Sequence, residues 1–199
     1  MKSKLTIVFY SMTGTNLQMA KWAEEKAKEM GAEVRLRQVK ELIPQEVIDG
    51  NPGMKKVYEE KKDIPVATAD DVAWADAVLF STPTRFGAIS SQMKQFMDTL
   101  GGIWAQGKTT NKMVSAMSSA NNPHGGQENT VLNVYSVMYH WGAIVVAPGF
   151  TSDDVRLAGG NPYGTSATMG EDGKIVEDVK PAVQHQVKRL LEVTEKFID

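Results

Sequence analysis

Apolar, strand-forming runs recur along this 199-residue chain, and segments with apolar residues at helical spacing lie between them. That alternation constrains the fold more than any other feature. "KLTIVFY" (Lys4–Tyr10) reads as a buried strand, and "AEVRLRQV" (Ala32–Val39) alternates as a strand nearer an edge does. "ADAVLFSTP" (Ala75–Pro83) is the third, with Pro83 expected to stop it. "NKMVSAMSSA" (Asn111–Ala120) and "AIVVAPGF" (Ala143–Phe150) are the fourth and fifth. Helical faces are expected at Ala20, Ala23, Ala27 and Met30, stopped by Gly31, and at Met93, Phe96, Met97 and Leu100, closed by Gly101–Gly102. Val131, Tyr135 and Met138 mark a further helix, and Val183, Val187, Leu190 and Phe197 the last.

Five strands separated by helices imply right-handed βαβ units and a parallel sheet covered on both faces. The pattern alone leaves the strand order open. Residues 40–68 are broken by Pro44, Pro52 and Pro65, with "KKVYEEKK" (Lys55–Lys62) expected as a solvated helix between them. A Gly/Asn/Pro-rich stretch runs to about residue 176 with no element expected. No repeat or linker divides the chain, so residues 1–199 read as a single domain.

Composition narrows the function. Apolar residues make up 42% of the chain, enough for a core, and the net charge of −2 argues against nucleic acid or an anionic membrane as partner. The absence of cysteine excludes disulfides, thiolate catalysis and iron–sulfur clusters. His124, His140 and His185 are too dispersed for a metal site, so none is expected. No run is long enough to span a membrane, and a cytoplasmic protein is expected.

Ligands of open parallel sheets bind at the carboxyl ends of the strands, where the strand order switches. Three loops with unusual chemistry leave strands there. "SMTGTN" (Ser11–Asn16) gathers hydroxyls, an amide and a glycine where a helix begins. Free helix N–H groups and the positive dipole end suit a phosphate without any lysine or arginine. A well-capped helix would use the same residues, so this loop alone decides nothing. "TPTRFG" (Thr82–Gly87) offers Arg85, a flat Phe86 and the backbone freedom of Gly87. "SSANNPHGGQE" (Ser118–Glu128) is a third loop rich in hydroxyls and amides.

Together with "GGIWAQGK" (Gly101–Lys108), "GGQE" (Gly125–Glu128) and "GGNPYG" (Gly159–Gly164), these loops resemble the WrbA family of FMN-dependent NAD(P)H:quinone oxidoreductases. The strings occur in family order over nearly the whole chain. The resemblance implies a flavodoxin-like three-layer α/β sandwich with a five-stranded parallel sheet of order 2-1-3-4-5. It implies FMN as cofactor, with Ser11, Met12, Thr13, Gly14, Thr15 and Asn16 around its phosphate. Pro83, Thr84, Arg85, Phe86 and Gly87 would hold the isoalloxazine ring, and Ser119, Ala120, Asn121, Asn122 and Gly125 would close the other side. His140 matches a histidine that approaches the flavin from the fourth helix, as cofactor contact and catalytic residue. Trp104, with Phe86, matches the quinone and nicotinamide pocket. Thr13 stands where the family often has an aromatic residue, and it offers no stacking surface.

The implied activity is two-electron, ping-pong reduction of quinones to hydroquinones by NADH or NADPH, in a homotetramer whose sites neighbouring subunits complete. Two alternatives stand beside it. One is a one-electron carrier of the flavodoxin type, although such shuttles are smaller and more acidic. The other is a non-enzymatic regulator-binding protein, for which no basic patch speaks. A receiver domain is set aside, because "LFSTP" (Leu79–Pro83) places no aspartate at the end of the third strand.

Overall fold

The computed structural model describes residues 2–171 and 173–198. β1 (Lys4–Phe9) leads into α1 (Thr15–Glu29), then β2 (Glu33–Gln38), α2 (Gln45–Asp49), α3 (Pro52–Lys61) and α4 (Ala69–Trp74). β3 (Ala77–Arg85) and the two-residue β4 (Ala88–Ile89) precede α5 (Ser91–Asp98) and α6 (Gly101–Ala105). β5 (Met113–Ala120), α7 (Gln127–His140), β6 (Ile144–Val145), α8 (Asp153–Leu157), β7 (Ser166–Thr168) and α9 (Lys180–Glu195) complete the order.

The strands explain their own composition. Leu5, Ile7, Phe9 and Leu79 face one side of the sheet and pack under α1 and α9 with Leu17, Val187 and Leu190. Val8, Tyr10, Val78 and Phe80 face the other, against Met93 and Phe96 of α5 and Val131 and Met138 of α7. Both faces are dry, so both residue parities must be apolar, as buried parallel strands require. The order is β2-β1-β3-β5-β6, with each neighbouring pair parallel. The chain crosses from β2 over β1 to β3, so the order reverses between β1 and β3.

Several expectations give way. The sheet has seven strands rather than five. The Ala143–Phe150 strand shrinks to Ile144–Val145, pairing with Met113 and Val114 at the start of β5. Pro148 and Gly149 turn the chain away, and β7, from the stretch with no expected element, pairs with Ser118–Ala120 instead. Pro83 does not stop β3. The ladder with β1 ends at Phe9–Ser81, while that with β5 runs on to Pro83–Ser119. Pro83 lies two residues past Ser81, whose carbonyl faces β1. Its missing N–H therefore falls on a side with no neighbour, and no ladder bond is lost.

Gly101–Gly102 open α6 rather than close α5, which ends at Asp98. The Lys55–Lys62 helix is not wholly solvated, since α3 buries Val57 and Lys61. α4 was not expected, although Thr68 and Asp71 form a reciprocal cap at its start. Phe197 lies beyond α9 and is exposed. His185 is half-buried, 2.8 Å from the Thr151 hydroxyl, and burial pulls its pKa down.

A buried amide fastens the C-terminal segment. Gln186 of α9 accepts from Thr165 N and Oγ1 at 2.8 and 2.7 Å and donates to Ser115 Oγ and Ala116 O at 2.7 and 2.9 Å. Tyr135 donates its hydroxyl to Tyr163 O and accepts from Ala116 N. Gly164 is pressed between these bonds, and a Cβ there would lie 2.0 Å from the Ala116 carbonyl oxygen. That oxygen belongs to a central strand and cannot rotate aside. Gly164→Ala is therefore expected to cost about 2 kcal/mol or more in denaturant unfolding; an unchanged midpoint would contradict this packing.

Candidate functional site

The three loops meet at the switch between β1 and β3. The first turns on Gly14, whose φ of 104° is open to glycine at little cost. Ser11 Oγ accepts from Gly14 N at 3.1 Å, which leaves the hydroxyl proton free to donate. α1 starts with no acidic residue in its first turn and no side-chain cap. Among the described residues, the amides of Thr15, Asn16 and Leu17 have no acceptor. These donors and the positive end of a 15-residue helix make an anion cradle without a basic side chain.

Asn16 is 1% exposed, and its side chain is hydrogen-bonded within the chain. Asn16 Nδ2 donates to Ser81 Oγ at 3.1 Å, and Asn16 Oδ1 accepts from Ser119 Oγ. One amide thus ties the start of α1 to the middle of β3, where its ladder with β1 ends, and to the end of β5.

The second loop is a tight hairpin in which Thr84 and Arg85 pair with Ile89 and Ala88. Its tip carries Phe86 at φ 53° and Gly87 at φ 78°. A left-handed phenylalanine costs roughly 1–2 kcal/mol. Its ring is fully exposed, so packing within the chain offsets none of that strain. Arg85 donates to Thr84 O at 2.9 Å and lies 3.6 Å from Met12 Sδ, with no carboxylate partner among the described residues. The first turn of α7, into which the third loop leads, clamps the hairpin. Asn129 Nδ2 donates to Gly87 O at 2.7 Å, and Thr130 Oγ1 to Thr84 Oγ1 at 2.9 Å. A Cβ on Gly126 would lie 2.7 Å from Gly87 Cα, and one on Gly125 2.3 Å from Ala120 Cβ. Only glycines let the loops approach this closely.

Between the loops is a cleft of about 400 Å³ lined by Ser11, Met12, Thr13, Thr15, Asn16, Pro83, Thr84, Arg85, Phe86, Ser119, Ala120, Asn121, Asn122, Gly125 and Met169. Gly14 and Gly87 shape its walls. Met169 follows β7 and stands 3.5 Å from Thr13 Oγ1. Nothing local in the sequence marks it, because β7 sits in a segment with no periodicity. Two expected residues are elsewhere. His140 ends α7, and its carbonyl accepts from Trp104 Nε1 at 3.0 Å. Gly142 bonds to Asn111, just before β5, so this pair lies at the opposite end of β5 from the cleft.

Residues 6–155 match the family model described as NADPH-dependent FMN reductase. The chain belongs to this family. Among its relatives, an NAD(P)H dehydrogenase (quinone) of Deinococcus radiodurans is 49% identical, covering 98% of this chain and 97% of that one. One from Archaeoglobus fulgidus is 36% identical over 98% and 99%. A flavodoxin, WrbA-like protein from Agrobacterium tumefaciens superposes with a TM-score of 0.69 over 98% and 99% of the chains, at 18% identity, a likeness of fold.

FMN, the group this family implies, fits the cleft. The unpaired amides and Ser11 suit a phosphate. Phe86, Met12 and Met169 give apolar and polarisable surface for a ring system. Among the described residues, no carboxylate lines the cleft to repel an anion. Asn16→Ala is expected to cost about 2 kcal/mol in denaturant unfolding, because it strands the buried Ser119 hydroxyl and removes a donor from Ser81, which keeps only its bond to the Asn16 carbonyl, and to weaken FMN binding in fluorescence titration. Wild-type values for both would show that the loops are held by something else.

Proposed function

We propose that this chain is an FMN-dependent NAD(P)H:quinone oxidoreductase. The observation that carries the reading is the strained, fully exposed Phe86 beside the unpaired amides of α1, in one cleft that no carboxylate lines among the described residues. A flat ring and a phosphate are what such a pair can hold. The relatives named NAD(P)H dehydrogenase (quinone), similar over nearly their whole length, support the same assignment.

FMN, when bound, supplies two-electron transfer between a nicotinamide and a quinone, chemistry that side chains lack. The chain supplies place and electrostatics. The amides of Thr15, Asn16 and Leu17 and the hydroxyl of Ser11 would bind the phosphate end. Arg85, without a carboxylate partner, would set a positive charge beside the polar edge of the ring, as preorganised charge does where negative charge develops. Thr84, Asn129 and Thr130 hold the hairpin so that Phe86 presents its face to a stacked quinone or nicotinamide. Thr13 reaches only Met169 and offers no ring of its own. No group in the cleft is placed as a dedicated acid or base, which suits a site that two flat substrates occupy in turn.

The same reading includes a homotetramer, with Trp104 and His140 of a neighbouring copy brought to the cleft. Trp104 is 53% and Tyr139 66% exposed, a large apolar surface for a lone chain. A cytoplasmic location, where NAD(P)H is available, is part of it. No helix among the described residues is long and apolar enough to cross a membrane.

Initial rates test the proposal. With FMN-loaded protein, varied NADH or NADPH against fixed benzoquinone is expected to give parallel double-reciprocal lines, as one shared pocket requires. Intersecting lines would require both substrates to be bound together and would overturn the shared pocket. No turnover with either nicotinamide would overturn the enzyme and favour a one-electron carrier.

A further inference from the structure

α3 delivers a cation to the back of the phosphate loop. Lys61, its last residue, is 2% exposed. Lys61 Nζ donates to the Ser11 carbonyl at 2.9 Å, stands 3.4 Å from Glu41 Oε2 and lies 5.3 Å from the centre of the Tyr10 ring. Glu41 Oε1 accepts from Tyr10 Oη at 3.1 Å, from Gln92 Nε2 at 3.3 Å and from the amides of Leu42 and Ile43. Burial pulls the lysine pKa down, and the Glu41 carboxylate acts against that pull. Burial, then the same carboxylate, pushes the Tyr10 phenol up.

Taking an ammonium out of water is costly, and apolar residues of similar volume often replace buried ion pairs without loss of stability. Fold stability is therefore a poor reason for this lysine. Its position is more informative. Ser11 opens the anion cradle, and a carbonyl oxygen turned into that cradle would repel a phosphate. Lys61 holds this oxygen at the rear, while Gly14 N occupies a lone pair of the Ser11 hydroxyl. The cradle then shows donors only. The charge itself, a few ångströms behind the loop, acts in a region of low dielectric.

We infer that Lys61 is a positioning residue for the FMN phosphate: it fixes the Ser11 carbonyl away from the cleft and supplies the buried positive charge that the loop itself lacks, with Glu41 tempering that charge. The inference rests on the FMN reading above. It separates from a plain structural role because riboflavin shares the ring of FMN but not its phosphate.

Apoprotein is titrated with FMN and with riboflavin, following flavin fluorescence, in wild type, Lys61→Met and Glu41→Gln. Wild type must prefer FMN; if it does not, the phosphate cradle itself is wrong. Lys61→Met is expected to weaken FMN about thirtyfold while riboflavin changes by no more than about threefold, the scale of a lost charge-assisted bond. Glu41→Gln keeps an acceptor for Tyr10 and leaves Lys61 unneutralised, so its preference for FMN over riboflavin should rise about threefold. The second variant carries the test if the first does not fold. Equal losses for both ligands in Lys61→Met, or an unchanged preference in Glu41→Gln, would overturn the inference.

Discussion

The site depends on one buried side chain. Asn16 sits in the first turn of α1 and bonds to Ser81 at the end of β3's pairing with β1, and to Ser119 near the end of β5. Strand ends are where parallel sheets lose their ladder bonds, and loops leaving them have no fixed relation to each other. A single amide, using donor and acceptor at once, converts three such ends into one rigid floor. The Asn16 backbone N–H, like those of Thr15 and Leu17, belongs to the first turn of α1 and has no acceptor among the described residues.

Above that floor the loops are less comfortable. Phe86 holds a left-handed backbone with its ring in solvent, and Gly125 and Gly126 press against Ala120 and Gly87 at distances no side chain allows. Strain and unpaired donors concentrated in one cleft mark a surface shaped for a ligand rather than for stability. Lys61 belongs to the same pattern, a buried charge on a helix whose other buried residues are the apolar Met54 and Val57. The rest of the molecule secures the frame: Gln186 and Tyr135 pin the 163–165 segment to β5, and β7 then brings Met169 to the rim.

Much of this was legible in the residues. Double-sided apolar runs such as Leu5–Tyr10 and Ala77–Phe80 pointed to a parallel sheet under two helical layers, and that is its form. The strings Ser11–Asn16, Pro83–Gly87 and Ser119–Gly125 do converge on one cleft. What escaped was set by pairing at a distance. Pro83 reads as a stop, yet stays in β3 because β1 has already ended on its N–H side. β7 has no period of its own and exists because β6 leaves half of β5 unpaired. Lys61 reads as one more solvated charge in Lys55–Lys62, and only the docking of α3 against the first loop reveals it. His140 and Trp104 touch each other away from the cleft, so any part they take in it requires a second copy.

The central claim is that the unpaired amides of α1 and the two glycine-shaped loops form one FMN site. Hydrogen exchange of the apoprotein with and without FMN tests it most directly. Protection is expected at residues 15–17, where amides without acceptors gain one, and at 84–87 and 119–126. Protection confined to segments outside these loops, or none at 15–17 under saturating FMN, would contradict it.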